Sequence, residues 1–240
     1  AAEASLDLID YLHLYQEKFP NPGDELEDKA SDIDLEYLIE DLPKMLLSMK
    51  SGTDRIRNIS TSLRTFSRAD SANKVSANIH EGIDSTLLIL QYRLKANDSR
   101  PAIKIIKEYG NIPAVKCYFG QLNQVFMNLL ANAIDCFDEF NQGRSYAEVE
   151  AVPNTIAIIT HVSSDNQSVV ITFKDNGNGM STEVKAKIFD HLFTTKGVGK
   201  GTGLGLSISR QIVEETHGGT LICESVLGEG TEFAIALPLN

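Results

Sequence analysis

The chain has 240 residues, of which 42% are hydrophobic and 23% charged, and this composition suits one large or two modest globular domains. Its formal net charge of −11 argues against an extended nucleic-acid-binding face and against direct contact with an anionic membrane, since either surface needs clustered Lys and Arg. The three cysteines, Cys117, Cys136 and Cys223, are widely spaced and indicate neither a disulfide framework nor a zinc site, which fits a reducing cytoplasm.

The chain begins with a segment typical of the middle of a helix. Residues 1–19 carry apolar side chains at four-three-four spacing, and the run P-N-P-G-D-E that follows ends this helix. We expect a polar, acidic connector from there to about Asp34. No run approaches the roughly 20 apolar residues of a membrane helix and no signal peptide is apparent, so any membrane anchor of the parent protein is expected upstream of Ala1.

The next segment predicts a long helix with an apolar seam, in which ten positions alternate strictly by three and four. The seam comprises Leu35, Leu38, Leu42, Met45, Met49, Gly52, Ile56, Ile59, Leu63 and Phe66. A hairpin of two helices would leave part of this surface exposed, so we expect a homodimer in which a second hairpin covers it. The alternative is a helix that packs within its own chain. Pro43 is expected to bend or break the helix near residues 39–43.

A short polar linker, residues 70–74, is expected between a helical hairpin of residues 1–69 and a domain of residues 75–240. This domain predicts a strand at about 75–79, a helix at 82–95, a strand at 103–108, the short run V-K-C-Y and a long helix from Gly120. Two strands flank S-S-D-N-Q-S, and another alternating pair ends the chain. The connection over residues 139–154 exceeds the usual loop length, and its shape stays open. These elements predict a two-layer α/β sandwich with helices on one face of a mixed sheet.

The predicted helix from Gln121 to Phe137 carries a polar stripe beside its apolar face. Asn128, Asn132 and Asp135 are spaced by four and three residues and therefore share one side of the helix. Asparagine carries a cost in helix interiors, so two of them here require a reason. An amide oxygen can bind Mg²⁺, which prefers oxygen ligands and keeps several waters while it bridges phosphates. The alternative is an ordinary polar helix edge.

The run D-N-G-N-G-M, residues 175–180, follows an alternating strand and predicts a purine site. Asp175 can accept a hydrogen bond from an exocyclic amine, while Gly177 and Gly179 let the backbone approach a flat ring because they have no Cβ atom. Taken alone, the motif is equally compatible with a tight turn in which Asp and Gly serve only geometry.

Residues 181–200 predict a lid. The segment begins like a capped helix at Ser181 or Thr182 and becomes glycine-rich near Lys200, so it can cover a bound nucleotide. Lys196 and Lys200 are candidate phosphate contacts, and the alternative for each is a solvated surface lysine.

Three glycines, Gly201, Gly203 and Gly205, lead into a segment with apolar residues at helical spacing. The unpaired N–H groups and the dipole at a helix N-terminus attract phosphates. The spacing G-x-G-x-G differs from the dinucleotide fingerprint G-x-G-x-x-G, and the sequence has no G-x-x-x-x-G-K-[ST]. The two commonest nucleotide folds are therefore disfavoured.

Together these motifs resemble the ATP-binding catalytic domain of two-component sensor histidine kinases. The asparagine helix, D-x-G-x-G, F-T-T-K, G-x-G-L-G-L and the closing G-E-G-T-E-F occur in the family's order between about Val75 and Asn240. That domain has the α+β, Bergerat-type fold shared with type II topoisomerases, a mismatch-repair ATPase and a heat-shock chaperone. The helical hairpin is similar to the kinases' dimerisation and phosphotransfer domain, a four-helix bundle made by two chains.

The resemblance implies a role for individual residues. Asn132 would hold Mg²⁺, Asp175 would bind the adenine amine, and Gly177 and Gly179 would form the wall of the base pocket. The glycines of G-T-G-L-G would border the phosphates. The rest of the implied ATP-binding set is Asp135, Thr194, Thr195, Lys196, Gly201, Gly203, Leu204, Gly205, Leu206 and Thr231. Asn128, Asn132 and Lys196 are the expected catalytic residues.

The resemblance also bears on the fate of the γ-phosphate. In the chaperone and topoisomerase relatives, a glutamate four positions before the magnesium-binding asparagine orients water for hydrolysis. Here that position is Asn128, which is not a general base. We therefore expect the phosphoryl group to pass to a histidine and then to an Asp of a response regulator, with Mg²⁺ and positioning supplying most of the catalysis. The alternative is a kinase-inactive ATP-binding scaffold that regulates a partner through dimer geometry.

No histidine of the sequence fits the family's phosphoacceptor pattern, a His followed by an acidic residue with Pro five positions after the His. The five candidates are His13, His80, His161, His191 and His217. His80 precedes Glu81 but has Ser85 where the proline should be. We therefore expect the acceptor upstream of Ala1, and we expect this fragment not to autophosphorylate by itself.

Overall fold

The computed structural model describes residues 2–67, 73–196 and 203–239. The chain divides into two compact units, Ala1–Ser60 and Thr61–Asn240. Most of the predicted linker, residues 70–72, lies outside the described residues.

The first unit is helical. Helix α1 spans Ala2–Lys18, α2 spans Asp24–Asp32, and α3 begins at Leu35 and extends to Ser67 in the second unit. The prediction of a connector before Asp34 was wrong, because this stretch forms the nine-residue helix α2. Its first turn carries three acidic residues, which favour a helix N-terminus through the helix dipole.

Pro43 does not end α3, which continues for 33 residues. The expected break is therefore absent from α3. A proline inside a helix removes one backbone hydrogen bond, and the uninterrupted turns on both sides hold the helix together.

Apolar side chains of the seam are exposed in the single chain. Leu38, Leu42, Met45, Met49 and Ile56 have exposed fractions between 39% and 71%. The side chains of the remaining seam positions Ile59, Leu63 and Phe66 lie outside the described part of the structure. Leu35 is half-buried, and the described seam positions therefore form a largely exposed apolar surface rather than a core.

The second unit is built on a five-stranded sheet with the order β2-β4-β5-β7-β6. Its strands are β2 (Lys104–Tyr109), β4 (Thr155–Val162), β5 (Ser168–Asp175), β6 (Thr220–Val226) and β7 (Gly230–Pro238). β2 is parallel to β4, and the other pairs are antiparallel. The short strands β1 (Val75–Ala77) and β3 (Val115–Cys117) form a separate antiparallel pair. The predicted mixed sheet is confirmed.

Six helices complete the described part of this unit beyond α3. They are α4 (Ile79–Ile89), α5 (Gln91–Leu94), α6 (Phe119–Phe140), α7 (Tyr146–Ala151), α8 (Thr182–Lys185) and α9 (Gly205–Gln211), and a π-helical turn, Ile212–Thr216, continues α9. The connection whose shape was open contains α7, which begins with a capping box between Ser145 and Glu148. The cap predicted at Ser181 is also present, because its hydroxyl accepts the Val184 N–H.

The core lies between the sheet and the helices α4, α6 and α9. The apolar face of α6, with Leu122, Val125 and Phe126, is fully buried, as are alternate residues of β4 and β5 such as Ile158 and Ile171. In the strands every second residue tends to be buried, and in α6 the buried residues recur at helical spacing. The remaining residues of each element therefore face away from the core. Within the described ranges, no helix is both long and apolar enough to cross a bilayer.

Candidate functional site

A cavity of about 680 Å³ lies in the second unit, between α6, the lid residues, the start of α9 and the ends of β5 and β7. A volume of a few hundred to about 1,000 Å³ is typical of small-molecule and cofactor sites. Eleven of the fifteen predicted site residues meet at this cavity, as the following geometry shows.

Helix α6 sets the length scale of the cavity, because several of its residues line the wall, and three of them form one row along the helix. These residues are Asn128, Asn132 and Cys136, separated by four residues each, or about 6 Å along a helix axis. The Cys136 end lies beside β5, since a Cβ atom at Gly177 would be 2.7 Å from the Cys136 sulfur. Asn132 is therefore one helical turn, and Asn128 two turns, away from the Cys136 end.

Asp175 is the buried carboxylate of the site, with 7% of the residue exposed. Its Oδ1 accepts the Gly177 N–H at 2.9 Å, and its backbone pairs with Thr231 of β7. Burial raises the pKa of Asp175 to about 6, and the N–H groups of Gly177 and Thr231 act in the opposite direction. The Asp175 carboxyl group is therefore a hydrogen-bond acceptor whose ionised form is disfavoured by burial unless a hydrogen-bond donor in the cavity faces it.

The two glycines after Asp175 are required by close backbone approaches. A Cβ at Gly177 would lie 2.9 Å from Asp175 Oδ1 in addition to its clash with the cysteine sulfur. Gly179 has φ +63°, and a Cβ there would lie 2.0 Å from the carbonyl oxygen of Val226. Gly179 lines the cavity, whereas Gly177, which was predicted to line it too, does not.

Asn128 connects α6 with the start of α9. Its Nδ2 donates to the Gly205 carbonyl at 3.0 Å and to Ser209 Oγ at 3.1 Å. Gly205 and Leu206 line the same part of the cavity, and Leu204 precedes them as the N-cap residue of α9. Gly203 also lines the cavity. Its φ is +66°, and a Cβ atom there would lie 2.3 Å from the backbone carbonyl carbon of Leu192, so this position requires glycine.

Asn132 lies beside a cation. Its Oδ1 accepts a hydrogen bond from Lys196 Nζ at 3.3 Å, and both residues line the cavity. Asp135 differs from the prediction, because it is absent from the cavity lining and forms ion pairs with Lys196 and with Arg93. Helical position alone does not explain this, because Ala131 and Asn132, which flank Asp135 around α6, both line the cavity. The ion pairs hold the Asp135 carboxylate beside Arg93 and Lys196 instead.

The lid residues are anchored at several points. Lys185 forms an ion pair with Glu224 of β6 at 2.7 Å, and the Arg210 guanidinium lies 4.8 Å from the ring centre of Phe189. Thr194 and Thr195 line the cavity, as does Thr231 of β7. The predicted contacts Lys200 and Gly201 lie outside the described residues.

The predicted set of site residues omitted several residues that line the cavity. These are Cys136, Glu139, Phe140, Met180, Phe193 and Leu227. Helical periodicity would have found Cys136, since it follows Asn132 by four residues. Met180 and Phe193 stand in the motifs D-N-G-N-G-M and F-T-T-K, which could have marked them, whereas Leu227 lies between β6 and β7 and gives no local signal.

An amide oxygen facing a cation fits the binding of Mg²⁺. Asn132 Oδ1 already accepts from an ammonium group inside the cavity. No group of three or more His, Cys, Asp or Glu residues in the described ranges could hold a metal ion. This donor set suits Mg²⁺ held by one protein oxygen together with water and nucleotide phosphates.

Two histidines of the domain are engaged in structural contacts. His80 stacks on Tyr109 at 4.2 Å and its Nε2 lies 2.8 Å from Thr160 Oγ1. His217 is buried, where its Nε2 accepts the Tyr118 N–H at 3.0 Å and its Nδ1 donates to the Ile212 carbonyl at 2.7 Å. Burial lowers the pKa of both side chains.

Comparison with known proteins agrees with this geometry. Residues 119–240 match the family described as histidine kinase-, DNA gyrase B-, and HSP90-like ATPase. The sensor kinase CckA of Brucella abortus (strain 2308) is 33% identical over 196 residues, which cover 80% of this chain and 20% of that protein. Sporulation kinase E of Bacillus subtilis (strain 168) is 29% identical over 186 residues, covering 78% and 22%. The chain thus spans about a fifth of the length of these two relatives.

Among solved structures, the catalytic domain of histidine kinase ThkA is 28% identical, with a TM-score of 0.55, and the match covers 69% of this chain and 97% of that one. The chain therefore belongs to the histidine kinase-, DNA gyrase B-, and HSP90-like ATPase family. Within that family, its second unit is a catalytic domain of the sensor histidine kinase type, as the sequence motifs predict.

Proposed function

We propose that the chain is the catalytic core of a sensor histidine kinase, which binds Mg-ATP and transfers the γ-phosphoryl group to a histidine for relay to an Asp of a response regulator. The observation that carries this proposal is the hydrogen bonding of Asn128 to α9, in the position where a hydrolysing relative would hold a base. The similarity to the sensor kinase CckA and to sporulation kinase E also supports a kinase rather than an ATPase.

The cavity offers a partner for each part of ATP. Asp175 would accept the exocyclic amine of adenine, and Gly179 would let the ring lie against the backbone. Asn132 would hold Mg²⁺, which neutralises charge on the phosphates when bound. Lys196, Thr194 and the start of α9 would hold and orient the phosphates.

Activation of water is disfavoured in this cavity. The carboxylates among its described lining residues are Asp175 and Glu139. Glu139 follows Asn132 by seven residues, about 10 Å along α6, and the Asp135 carboxylate is absent from the cavity lining, since its two oxygens pair with Arg93 and Lys196. A histidine acceptor is therefore favoured over water, and the contacts of His80 and His217 make these two unsuitable acceptors.

We also propose a homodimer formed through the exposed seam of α3 and a cytoplasmic location for this part of the protein. Exposed apolar residues at three-four spacing are the pattern that a second helical hairpin covers. The free thiols of Cys117, Cys136 and Cys223 fit a reducing compartment. The net charge of −11 disfavours nucleic acid as a partner.

The proposal is tested with ATP labelled at the γ-phosphate. This chain should bind Mg-ATP, hydrolyse it slowly and retain no stable label, whereas a protein in which it is joined to an acceptor histidine should gain acid-labile, base-stable phosphate. Asn128→Asp should introduce some hydrolysis by placing a carboxylate near the phosphates. Brisk steady-state ATP turnover by the unmutated chain would favour an ATPase and overturn the kinase proposal.

A further inference from the structure

One cationic side chain, Lys196, is present among the described residues that line the cavity, whereas two acidic residues, Asp175 and Glu139, line it too. A nucleotide triphosphate brings several negative charges into this space, so the charge around Lys196 matters for its binding. The direct neighbour of Lys196 is a carboxylate, Asp135, which by itself would cancel the lysine charge.

A second cation outside the cavity compensates this carboxylate. Arg93 of α5 donates through Nη2 to Oδ1 of Asp135, while Lys196 bonds to Oδ2 of the same group. Each oxygen of Asp135 thus has its own cation. With two positive groups and one negative group, the cluster Arg93–Asp135–Lys196 carries a net charge of +1.

The neighbouring charges do not change this balance. Asp138 lies 3.7 Å from Arg93 but bonds to Arg100 Nε at 2.8 Å. Arg100 is 1% exposed, and its other guanidinium nitrogens donate to backbone carbonyls, including that of Arg93. The Arg100–Asp138 pair is therefore neutral, and it fixes the backbone from which Arg93 reaches Asp135.

The cluster also has a directional effect on Lys196. Asp135 holds the ammonium within hydrogen-bond distance of Asn132 Oδ1, at the cavity wall, where 21% of the lysine side chain is exposed. A free lysine side chain loses rotamer entropy when it binds an anion, and an anchored one has already lost most of it before the anion arrives. The cluster therefore prepares a fixed positive group rather than a mobile surface charge.

We infer that Arg93 and Asp135 are positioning residues for Lys196, and that the three together form the cationic end of the cavity that binds the terminal phosphates of a nucleotide. The inference rests on the proposed function, since it places a nucleotide in this cavity. It assigns Arg93, which belongs to none of the sequence motifs, to phosphate affinity. It also assigns Asp135 to the placement of a cation instead of to direct contact with ATP.

The test uses calorimetry with ATP and with adenosine, which lacks phosphates, on four forms of the chain. Arg93→Gln reduces the cluster charge to zero and should weaken ATP binding about ten-fold, the effect of about 1.4 kcal/mol, without changing adenosine binding. Asp135→Asn raises the charge to +2 and keeps an amide oxygen that can still accept from Lys196, so ATP binding should be equal or tighter. The double variant Arg93→Gln/Asp135→Asn restores +1 and should recover the original ATP affinity.

The controls separate charge from folding. Lys107→Gln removes a positive charge of similar exposure from β2, where Lys107 pairs with Asp84 of α4 away from the cavity lining, and should leave the binding of both ligands unchanged. Arg93→Lys keeps the charge and should bind ATP like the unmutated chain. The loss in Arg93→Gln should also shrink at high salt, because the exposed part of the cluster is screened.

Opposite effects of Arg93→Gln and Asp135→Asn are the decisive result, because a purely structural ion pair would be weakened equally from either side. Equal losses of ATP affinity in both variants, or an unchanged affinity in Arg93→Gln, would overturn the inference while normal adenosine binding upholds the proposed function. Failure of the unmutated chain to bind either adenosine or ATP would overturn both.

Discussion

Replacement of Asp175 by Asn tests the base pocket without a change of shape. One carboxylate oxygen, Oδ1, accepts the Gly177 N–H at 2.9 Å, which leaves the other for a donor in the cavity. An Asn side chain has a single oxygen, so either the Gly177 N–H or the adenine amine must face its NH₂ group.

An unmade hydrogen bond at a buried site costs about 1–3 kcal/mol, which corresponds to a weakening of ATP binding by roughly ten-fold or more. Selectivity for ATP over GTP should fall as well, since the acceptor that reads the exocyclic amine is lost. The folded chain itself should not be destabilised at pH 7, because burial disfavours the charged carboxylate that the neutral amide replaces.

The pH dependence gives an independent reading. Asp175 has a pKa of about 6 in the folded chain, so it is mostly ionised at pH 7 and mostly protonated at pH 5. Adenosine binding should therefore weaken about ten-fold from pH 7 to pH 5 if only the ionised form accepts the amine. Since this pKa is raised on folding, the unliganded chain should conversely lose stability as pH rises from about 4 through 6.

Calorimetry at several pH values, with ATP, GTP and adenosine, measures all of these effects, and thermal unfolding monitors the fold. The Asp175→Asn variant should show weak binding with no change between pH 5 and pH 7. Unchanged affinity and selectivity in this variant, with a normal melting temperature, would remove Asp175 from the base pocket.

Three further predictions concern other parts of the molecule. Asn132→Ala should abolish the Mg²⁺-dependent part of ATP binding, measured by titration with and without the metal, and full retention of that dependence would place the metal ligand elsewhere. Gly179→Ala should destabilise the chain by roughly 1–3 kcal/mol, because φ is +63° and the new Cβ would meet the Val226 carbonyl at 2.0 Å; an unchanged melting temperature would contradict this geometry. Leu42→Asp should shift a dimer towards monomer in light scattering by placing a charge in the seam, and an unmutated chain that is monomeric at high concentration would refute the dimer proposal.

The sequence predicted the second unit well because its elements have strong periodic signals. The strands around residues 163–167 and the helix carrying Asn128 bury the residues that alternation and helical spacing indicate. The family motifs likewise marked most of the cavity wall. Helix α2 was missed, since a short polar helix has no apolar period and depends on charges at its first turn.

The ionic partners of the site were beyond sequence reasoning. Arg93 and Asp135 are 42 residues apart, and no local pattern pairs them. The sequence predicted that Asp135 shares a side of the helix with Asn132. The carboxylate of Asp135 instead forms ion pairs with Arg93 of α5 and Lys196 of the lid, and these partners could not be predicted from helical spacing. Such pairings arise only from the packing of separate elements.

The strand order has a consequence for how this domain tolerates change. β4 pairs with β5 through the short connection 163–167, and β6 pairs with β7 through residues 227–229, so the sheet contains two hairpins that each close locally. Residues 176–219, which include α8 and α9, connect the first hairpin to the second. The two hairpins form one sheet because β5 of the first pairs with β7 of the second. Loop closure becomes costlier only slowly with length, by about 0.6 kcal/mol for each doubling. Changes of length between α8 and α9 are therefore inexpensive for the sheet, so the length of the lid can be altered in evolution or by design while the scaffold keeps its register.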